Sequence, residues 1–209
     1  MHLTHQDILA TSKIRRLNII NSITGIKPGN LIGTKGKDGN TNLAVFSSVV
    51  HLGSKPPLLG FILRPTGDVP RHTFQNIIDT GIYTINSITT DKTQNAHYTS
   101  AKFELDESEF NGCAFEEEYI NGFDAPFVRE SGIKIGLSVV QTIDIEINGT
   151  KMVIGKIEHL LVDDALVSNE GYVNLEKANA AGIGGLNSYY ELKHIADYPY
   201  ARLSEIPVF

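Results

Sequence analysis

The sequence predicts a mainly β protein with peripheral helices, in which antiparallel strands close into a barrel. Apolar residues alternate from Ile133 to Val139 and again from Ile143 to Ile147, as expected for strands with one buried face. Asn148-Gly149 follows directly and is typical of a hairpin turn leading into the apolar run 152–157. Strands in consecutive hairpins with few helices between them favour an antiparallel, Greek-key-like barrel over a doubly wound parallel sheet.

Length and charge narrow the class of protein. A chain of 209 residues can bury one substantial core, so we expect a single domain over 1–209. The formal net charge of -6 argues against nucleic acid or an anionic membrane as the main partner. No apolar stretch approaches a membrane-spanning length, and the first residues do not resemble a signal peptide. The single cysteine, Cys113, excludes an internal disulfide and favours a cytoplasmic location.

The N-terminal segment 1–17 is predicted to form one short amphipathic helix. Thr4 and Asp7 have the spacing of a capping pair, and apolar residues at helical spacing follow them. Residues 18–25 contain several β-branched side chains and end at a glycine, so we expect a short strand there.

A central hairpin is expected next, with strands at 30–34 and 43–46 joined by a turn at Asp38-Gly39-Asn40. The second strand ends in small and hydroxylic residues, including Ala44 and Ser47. Such residues let another molecule approach the backbone closely and offer it hydroxyl groups and N–H groups. The alternative is an ordinary polar strand end.

An apolar strand is predicted over 56–65, followed by a helix with Asp68 as N-cap and Pro70 in its first turn. Gly81 stands where a C′ glycine would end this helix.

Arg71, His72 and Thr73 then fall in the first turn of that helix. Cations there oppose the helix dipole, and a bound anion such as phosphate would remove the conflict. The alternative is that Arg71 pairs with a surface carboxylate.

The remaining elements are predicted more briefly. Residues 82–88 are expected to form a core strand, and 91–100 a helix that brings His97 near Ser100. The acidic stretch 102–124 is expected to be a covering excursion rather than an organised helix pair. The seven histidines show no metal-ligand spacing, so we expect no metal site, and Gly182–Gly185 lacks the spacing of a dinucleotide-binding loop.

Taken in order, several of these segments resemble a known family. The resemblance runs from about Asn18 to Tyr190, and its family is that of the flavin reductase-like proteins with an FMN-binding split barrel. The motifs that carry it are Asn42–Ser48, Pro56-Pro57, Arg71–Ile77, Thr80-Gly81 and Ser108-Glu109-Phe110. Two departures stand out, because many relatives have proline where Val45 stands and Arg-Pro where Gly29-Asn30 stands.

The resemblance implies a cofactor site as well as a fold. The segment from Asn42 to Ser48 would provide the edge of a flavin slot and its backbone donors, and cationic residues would bind the FMN phosphate. The predicted cofactor-binding residues are Asn42, Leu43, Ala44, Val45, Phe46, Ser47, Ser48, Arg64, Arg71, His72 and Thr73. Arg64 competes with Arg71 for the phosphate, and no catalytic residue is predicted. His97 could deliver a proton to reduced flavin or could simply cap its own helix.

The predicted function is an FMN-dependent oxidoreductase that takes hydride from NADH or NADPH and passes electrons to free flavin or another small acceptor. The alternative is an FMN-binding electron carrier or sensor without nicotinamide turnover. The resemblance also implies a homodimer. The first helix, 1–17, and the apolar-aromatic tail Tyr198–Phe209 of the extension 186–209 are more than one barrel needs for its own cover. In the alternative, both ends fold back on their own barrel.

Overall fold

The structure, a computed structural model, describes residues 1–65, 72–104 and 106–208. Every strand pairing among these residues is antiparallel. The strands are β1 (Lys27–Pro28), β2 (Asn30–Lys35), β3 (Thr41–Phe46), β4 (Val50–Ser54), β5 (Pro57–Leu63), β6 (Ile82–Ser87), β7 (Glu117–Ile120), β8 (Phe123–Val128), β9 (Ile133–Ile145), β10 (Thr150–Val162), β11 (Ala181–Gly184) and β12 (Ser188–Glu191). The α-helices are α1 (His5–Ala10), α2 (Lys13–Ser22), α3 (His72–Thr80), α4 (Thr93–Tyr98) and α5 (Glu109–Gly112).

One seven-stranded sheet, in the order β3-β2-β6-β9-β10-β5-β4, forms the body of the fold. It has β3 at one edge and β4 at the other. Two smaller sheets are present, one of three strands in the order β1-β11-β12 and one of two strands, β7 and β8. The prediction of a mainly antiparallel β protein with peripheral helices is therefore confirmed.

Both predicted hairpins are confirmed. The turn between β2 and β3 places Gly39 at φ 90°, in the left-handed region that favours glycine. The turn between β9 and β10 places Gly149 at φ 70°. Ile147 belongs to this turn rather than to the alternating strand, and it is 95% exposed.

Two predictions about the chain before β2 are wrong. The single helix over 1–17 is divided into α1 and α2, with the predicted capping pair of Thr4 and Asp7 at the start of α1. The strand predicted over 18–25 is absent, because α2 continues to Ser22, whose hydroxyl donates to the Asn18 carbonyl. β-branched residues favour strands only weakly, and local helical hydrogen bonding prevails here.

The stretch 102–124 also differs from its prediction. It contains α5, β7 and the start of β8, and β8 belongs to the core instead of only covering it. Alternate residues of β8, Phe123, Ala125 and Phe127, are buried together, and the Thr84 hydroxyl donates to the Pro126 carbonyl at 2.6 Å. This strand therefore lies over β2 and β6 as part of the core.

Two clusters of buried side chains hold the sheet. One lies within the curved sheet and includes Ile32, Phe61, Tyr83 and Leu137. The other lies between β2, β3 and α5 and includes Leu31, Leu43, Phe110 and Val128. The strand β3 thus has an apolar cluster on each of its two faces, which fixes its position in the fold.

The chain ends contribute little to this core. No residue of α1 or α2 is buried, and Ile14 and Ile23 are 73% and 70% exposed. The segment 186–209 begins with β12, which pairs with β11, and most of its later described residues are exposed. Among the described residues, no helix is long and apolar enough to cross a membrane.

Candidate functional site

The edge strand β3 carries five of the eleven predicted site residues, Asn42 to Phe46, and its two faces differ. Leu43 and Val45 point into the apolar cluster that contains Phe110. Asn42 and Phe46 point the other way, toward α3 and the second cluster. Of the residues predicted there, Leu43 is fully buried and therefore serves the core, whereas Val45 is only half-buried.

The backbone of β3 alternates between groups that bond β2 and groups that face outward. The Gly36 N–H donates to the Asn40 carbonyl, and the Leu43 N–H donates to Glu109 instead of to β2. Both bonds agree with the antiparallel register of β2 and β3. In such a ladder, the N–H groups of every second residue point away from the neighbouring strand. The Val45 N–H therefore points away from β2, at the open edge of the sheet. A planar ligand with carbonyl and ring-nitrogen acceptors could bond there.

The beginning of α3 lies beside this edge strand. The buried Asn42 side-chain amide donates to the Thr73 hydroxyl at 3.0 Å, which joins two predicted site residues directly. His72, the first residue of α3, is half-buried. The Thr73 hydroxyl keeps its own proton for a further acceptor, because it accepts the Asn42 bond. Arg71 and the predicted caps Asp68 and Pro70 lie outside the described residues.

Two other cations belong to the same part of the fold. Arg64 is exposed and immediately follows β5. Lys151 lies opposite Leu63 in the β5–β10 register, and its Nζ lies 5.5 Å from the Phe74 ring centroid in α3, while it also contacts Asp144. We did not predict Lys151 as a site residue, because only the strand register brings it close to α3.

The two serines that follow β3, Ser47 and Ser48, lie in different environments. The Ser48 hydroxyl accepts from the Ile62 N–H at 3.0 Å and donates to the Ile62 carbonyl at 3.1 Å. It thus ties the end of β3 to β5. Ser47 and Ala44 are half-buried.

The helix α5 and its N-cap residue, Ser108, contact β3 through three consecutive residues. The Ser108 hydroxyl lies 2.7 Å from the Thr41 hydroxyl, Glu109 Oε2 accepts from the Leu43 N–H at 2.8 Å, and Phe110 packs in the Leu43 cluster. Glu109 is only 6% exposed. Burial raises the pKa of its carboxyl group, and the hydrogen bonds from the Leu43 and Glu109 backbone partly oppose this.

The raised pKa gives a testable pH dependence. In the folded protein Glu109 holds its proton above the usual pKa of 4.5, so stability should fall as pH rises from about 4.5 through the folded-state pKa. Glu109→Gln removes this titration. Its free energy of unfolding should therefore rise relative to that of the wild type as pH increases from about 4.5 through the folded-state pKa of Glu109. Urea unfolding at a series of pH values measures this difference, with Glu107→Gln, at an exposed neighbour, as the control for losing one charge. If the free energy of unfolding of Glu109→Gln minus that of the wild type stays constant or falls as pH rises, the assignment is contradicted.

His97 lies in α4, and its side chain contacts Tyr189. Its Nδ1 lies 3.4 Å from the Tyr189 hydroxyl, and the two rings pack edge to face with centroids 6.0 Å apart. Burial raises the pKa of Tyr189 to about 12. These contacts favour the structural alternative for His97 over a role in proton delivery.

A polar cavity of about 430 Å³ opens near the start of β3. Its charged residues are Lys35, Asp106, Glu117 and Asp124, and Lys35 is already paired with Asp124 at 2.7 Å. Three carboxylates against one lysine make the cavity negative, so it is a poor match for a phosphate group. No group of three or more metal-ligating side chains that could hold a metal ion occurs in the described parts of the chain.

Comparison with known proteins places these features in a family. The family described as "Flavin reductase like domain" matches residues 26–177. The crystal structure of a split-barrel protein from Shewanella frigidimarina NCIMB 400, described as a flavin reductase, superposes with a TM-score of 0.92 at 45% identity, covering 96% of this chain and 100% of that one.

Two more distant structures share the fold. Flavoredoxin of Desulfovibrio vulgaris (Miyazaki F) gives a TM-score of 0.73 at 21% identity, covering 84% of this chain and 92% of that one. The FMN-binding domain of a flavin reductases-like enzyme from Shewanella baltica OS155 gives 0.67 at 18% identity, covering 82% and 89%. With most of its length matched to one family and its strands arranged as in these structures, the chain belongs to the flavin reductase-like family and has its split-barrel fold.

Proposed function

We propose that the protein binds FMN and acts as an oxidoreductase that moves hydride from NADH or NADPH to flavin and on to a small acceptor. The observation that carries this proposal is the register of the edge strand β3, which turns the Val45 N–H outward, together with the hydrogen bond from Asn42 of the same strand to Thr73 in the first turn of α3. Backbone donors and a helix N-terminus then lie side by side, as a flavin ring and its phosphate require.

Each predicted residue has a place in this proposal. The backbone from Ala44 to Ser47 would contact the flavin ring, and Ser48, Leu43 and Phe46 would hold that strand in position. Thr73, His72 and Arg71 would bind the phosphate, with Arg64 and Lys151 adding positive charge. Bound FMN supplies the hydride-accepting chemistry, while the protein orients the ring and shields it from water.

The proposal is tested by loading the purified protein with FMN and mixing it anaerobically with NADH or NADPH in a stopped-flow instrument. Loss of flavin absorbance near 450 nm is expected, and it should depend on the concentration of at least one nicotinamide. If the protein does not bind added FMN and leaves both nicotinamides unoxidised, the proposal is contradicted.

One observation favours a second function, that of an FMN-binding electron carrier or sensor without nicotinamide turnover. The cavity at the start of β3 carries net negative charge and would repel a dinucleotide. In this case FMN would bind, neither nicotinamide would reduce it, and only a protein donor would do so. The same stopped-flow experiment therefore separates the two functions.

We also propose that the protein is a homodimer, with α1 and α2 facing the second copy. Leu9, Ile14 and Ile23 are more than half exposed in the single chain, and a row of such residues usually meets a partner. Light scattering should give about twice the chain mass of 22.9 kDa. Ile14→Asp should shift the mass toward the monomer, whereas Ile147→Asp, at the exposed β9–β10 turn, should not. A wild-type monomer would overturn this proposal.

A further inference from the structure

Glu109 is a buried carboxylate to which the proposed reaction gives no role. It lies in α5, is 6% exposed, and directs Oε2 to the backbone of Leu43, near the start of the proposed flavin-binding segment. Burying a carboxylate is unfavourable unless hydrogen bonds compensate for the lost hydration. This cost indicates that the contact with β3 serves a purpose beyond covering the core.

The purpose follows from the position of β3 at the edge of the seven-stranded sheet. An edge strand leaves every second N–H without a strand partner, and such a strand can shift or pair with another chain. Glu109 accepts the outward N–H of Leu43, and Ser108 holds the Thr41 side chain one outward residue earlier. The next outward N–H, that of Val45, is two residues further along.

We propose that Glu109 is a positioning residue, which occupies the Leu43 N–H so that the Val45 N–H becomes the donor to the flavin ring. Ser108 and Glu109 then hold β3 through Thr41 and Leu43, and Asn42 fixes the same strand to α3. This inference rests on the proposed binding of FMN, and it adds which backbone group binds the ring and what holds that group in place.

Amide hydrogen exchange on the wild-type protein tests the assignment without any substitution. In the flavin-free protein the Leu43 amide should be protected and the Val45 amide should exchange at least tenfold faster. Added FMN should slow exchange of the Val45 amide by about tenfold, the effect of one hydrogen bond, and leave Leu43 unchanged. Equal protection of the two amides without flavin, or no change at Val45 on binding, would overturn the proposal.

Substitutions separate positioning from general damage. Glu109→Met removes the acceptor and should weaken FMN and riboflavin by the same factor, about tenfold, since both share the ring. Glu109→Gln keeps an acceptor oxygen and should bind both flavins within about threefold of the wild type. A folded Glu109→Met that binds both as the wild type does, or a Gln variant as weak as the Met variant, would overturn the proposal. Wild-type protein that binds neither flavin would instead overturn the proposed function.

Discussion

Arg71→Ala is expected to weaken FMN binding by about ten- to a hundredfold while riboflavin binding changes little. The sequence places Arg71 directly before His72, the first residue of α3. A charge-assisted hydrogen bond to the phosphate contributes about 1.5–3 kcal/mol, which corresponds to that range of affinity. Riboflavin lacks the phosphate, so its affinity reports only on the ring site and the fold.

Titration of the flavin-free variant with both ligands measures the contrast. Arg64→Ala and Lys151→Ala serve as matched controls, since both remove a positive charge near α3. We expect a smaller, salt-dependent loss from each of them, because Arg64 is exposed and Lys151 is already paired with Asp144. Equal loss of FMN and riboflavin in Arg71→Ala, or no loss of either, would show that the phosphate binds elsewhere.

Gly33→Ala is expected to destabilise the protein by about 3 kcal/mol or more, the upper range for overpacking a core. Gly33 lies in β2, opposite Leu43 of the proposed flavin strand. A Cβ there would stand 2.3 Å from the Pro126 carbonyl oxygen and 2.6 Å from the Thr84 hydroxyl. The first of these is backbone, and it already accepts the Thr84 hydrogen bond, so neither group can move without breaking the packing of β8 on β2.

Thermal unfolding measures this effect, and a fall in melting temperature of roughly 10 °C is expected for a chain of this size. Gly53→Ala provides the matched control, because Gly53 also lies in a strand but its nearest neighbour would be 3.6 Å from the new Cβ. It should change stability by less than about 1 kcal/mol. Similar melting temperatures for the two variants would show that Pro126 of β8 does not pack closely against Gly33 of β2.

The sequence reveals the strands of this fold more readily than its helices. The β9–β10 hairpin is evident because its apolar residues alternate and Asn148-Gly149 marks the turn. Residues 18–25 are misassigned because isoleucine-rich segments suit either structure, and the choice is made by local hydrogen bonds such as that from Ser22 to Asn18. The β7–β8 hairpin is hidden in the sequence because Glu117 and Glu118 leave β7 without an apolar alternation, although Phe123 and Phe127 of β8 are buried.

The candidate site is predictable to the extent that it follows the chain. Asn42 and Thr73 stand in two recognisable segments, and the structure shows them hydrogen-bonded. Lys151 cannot be identified in this way, and Glu109 is recognised only as part of the motif Ser108-Glu109-Phe110, without a role in the site. Lys151 reaches α3 only through the pairing of β5 with β10, and Glu109 reaches β3 from 66 residues away in the sequence. Strand register and long-range contacts leave no periodic signal in a single sequence.

The central claim is that this split barrel binds FMN through an edge-strand ring site and a phosphate site at the start of α3. Calorimetric titration of the flavin-free wild-type protein with FMN and with riboflavin tests both sites at once. We expect both ligands to bind, with FMN at least tenfold tighter because only it engages the phosphate site. Absence of binding by either flavin, or equal affinity for the two, would contradict this account.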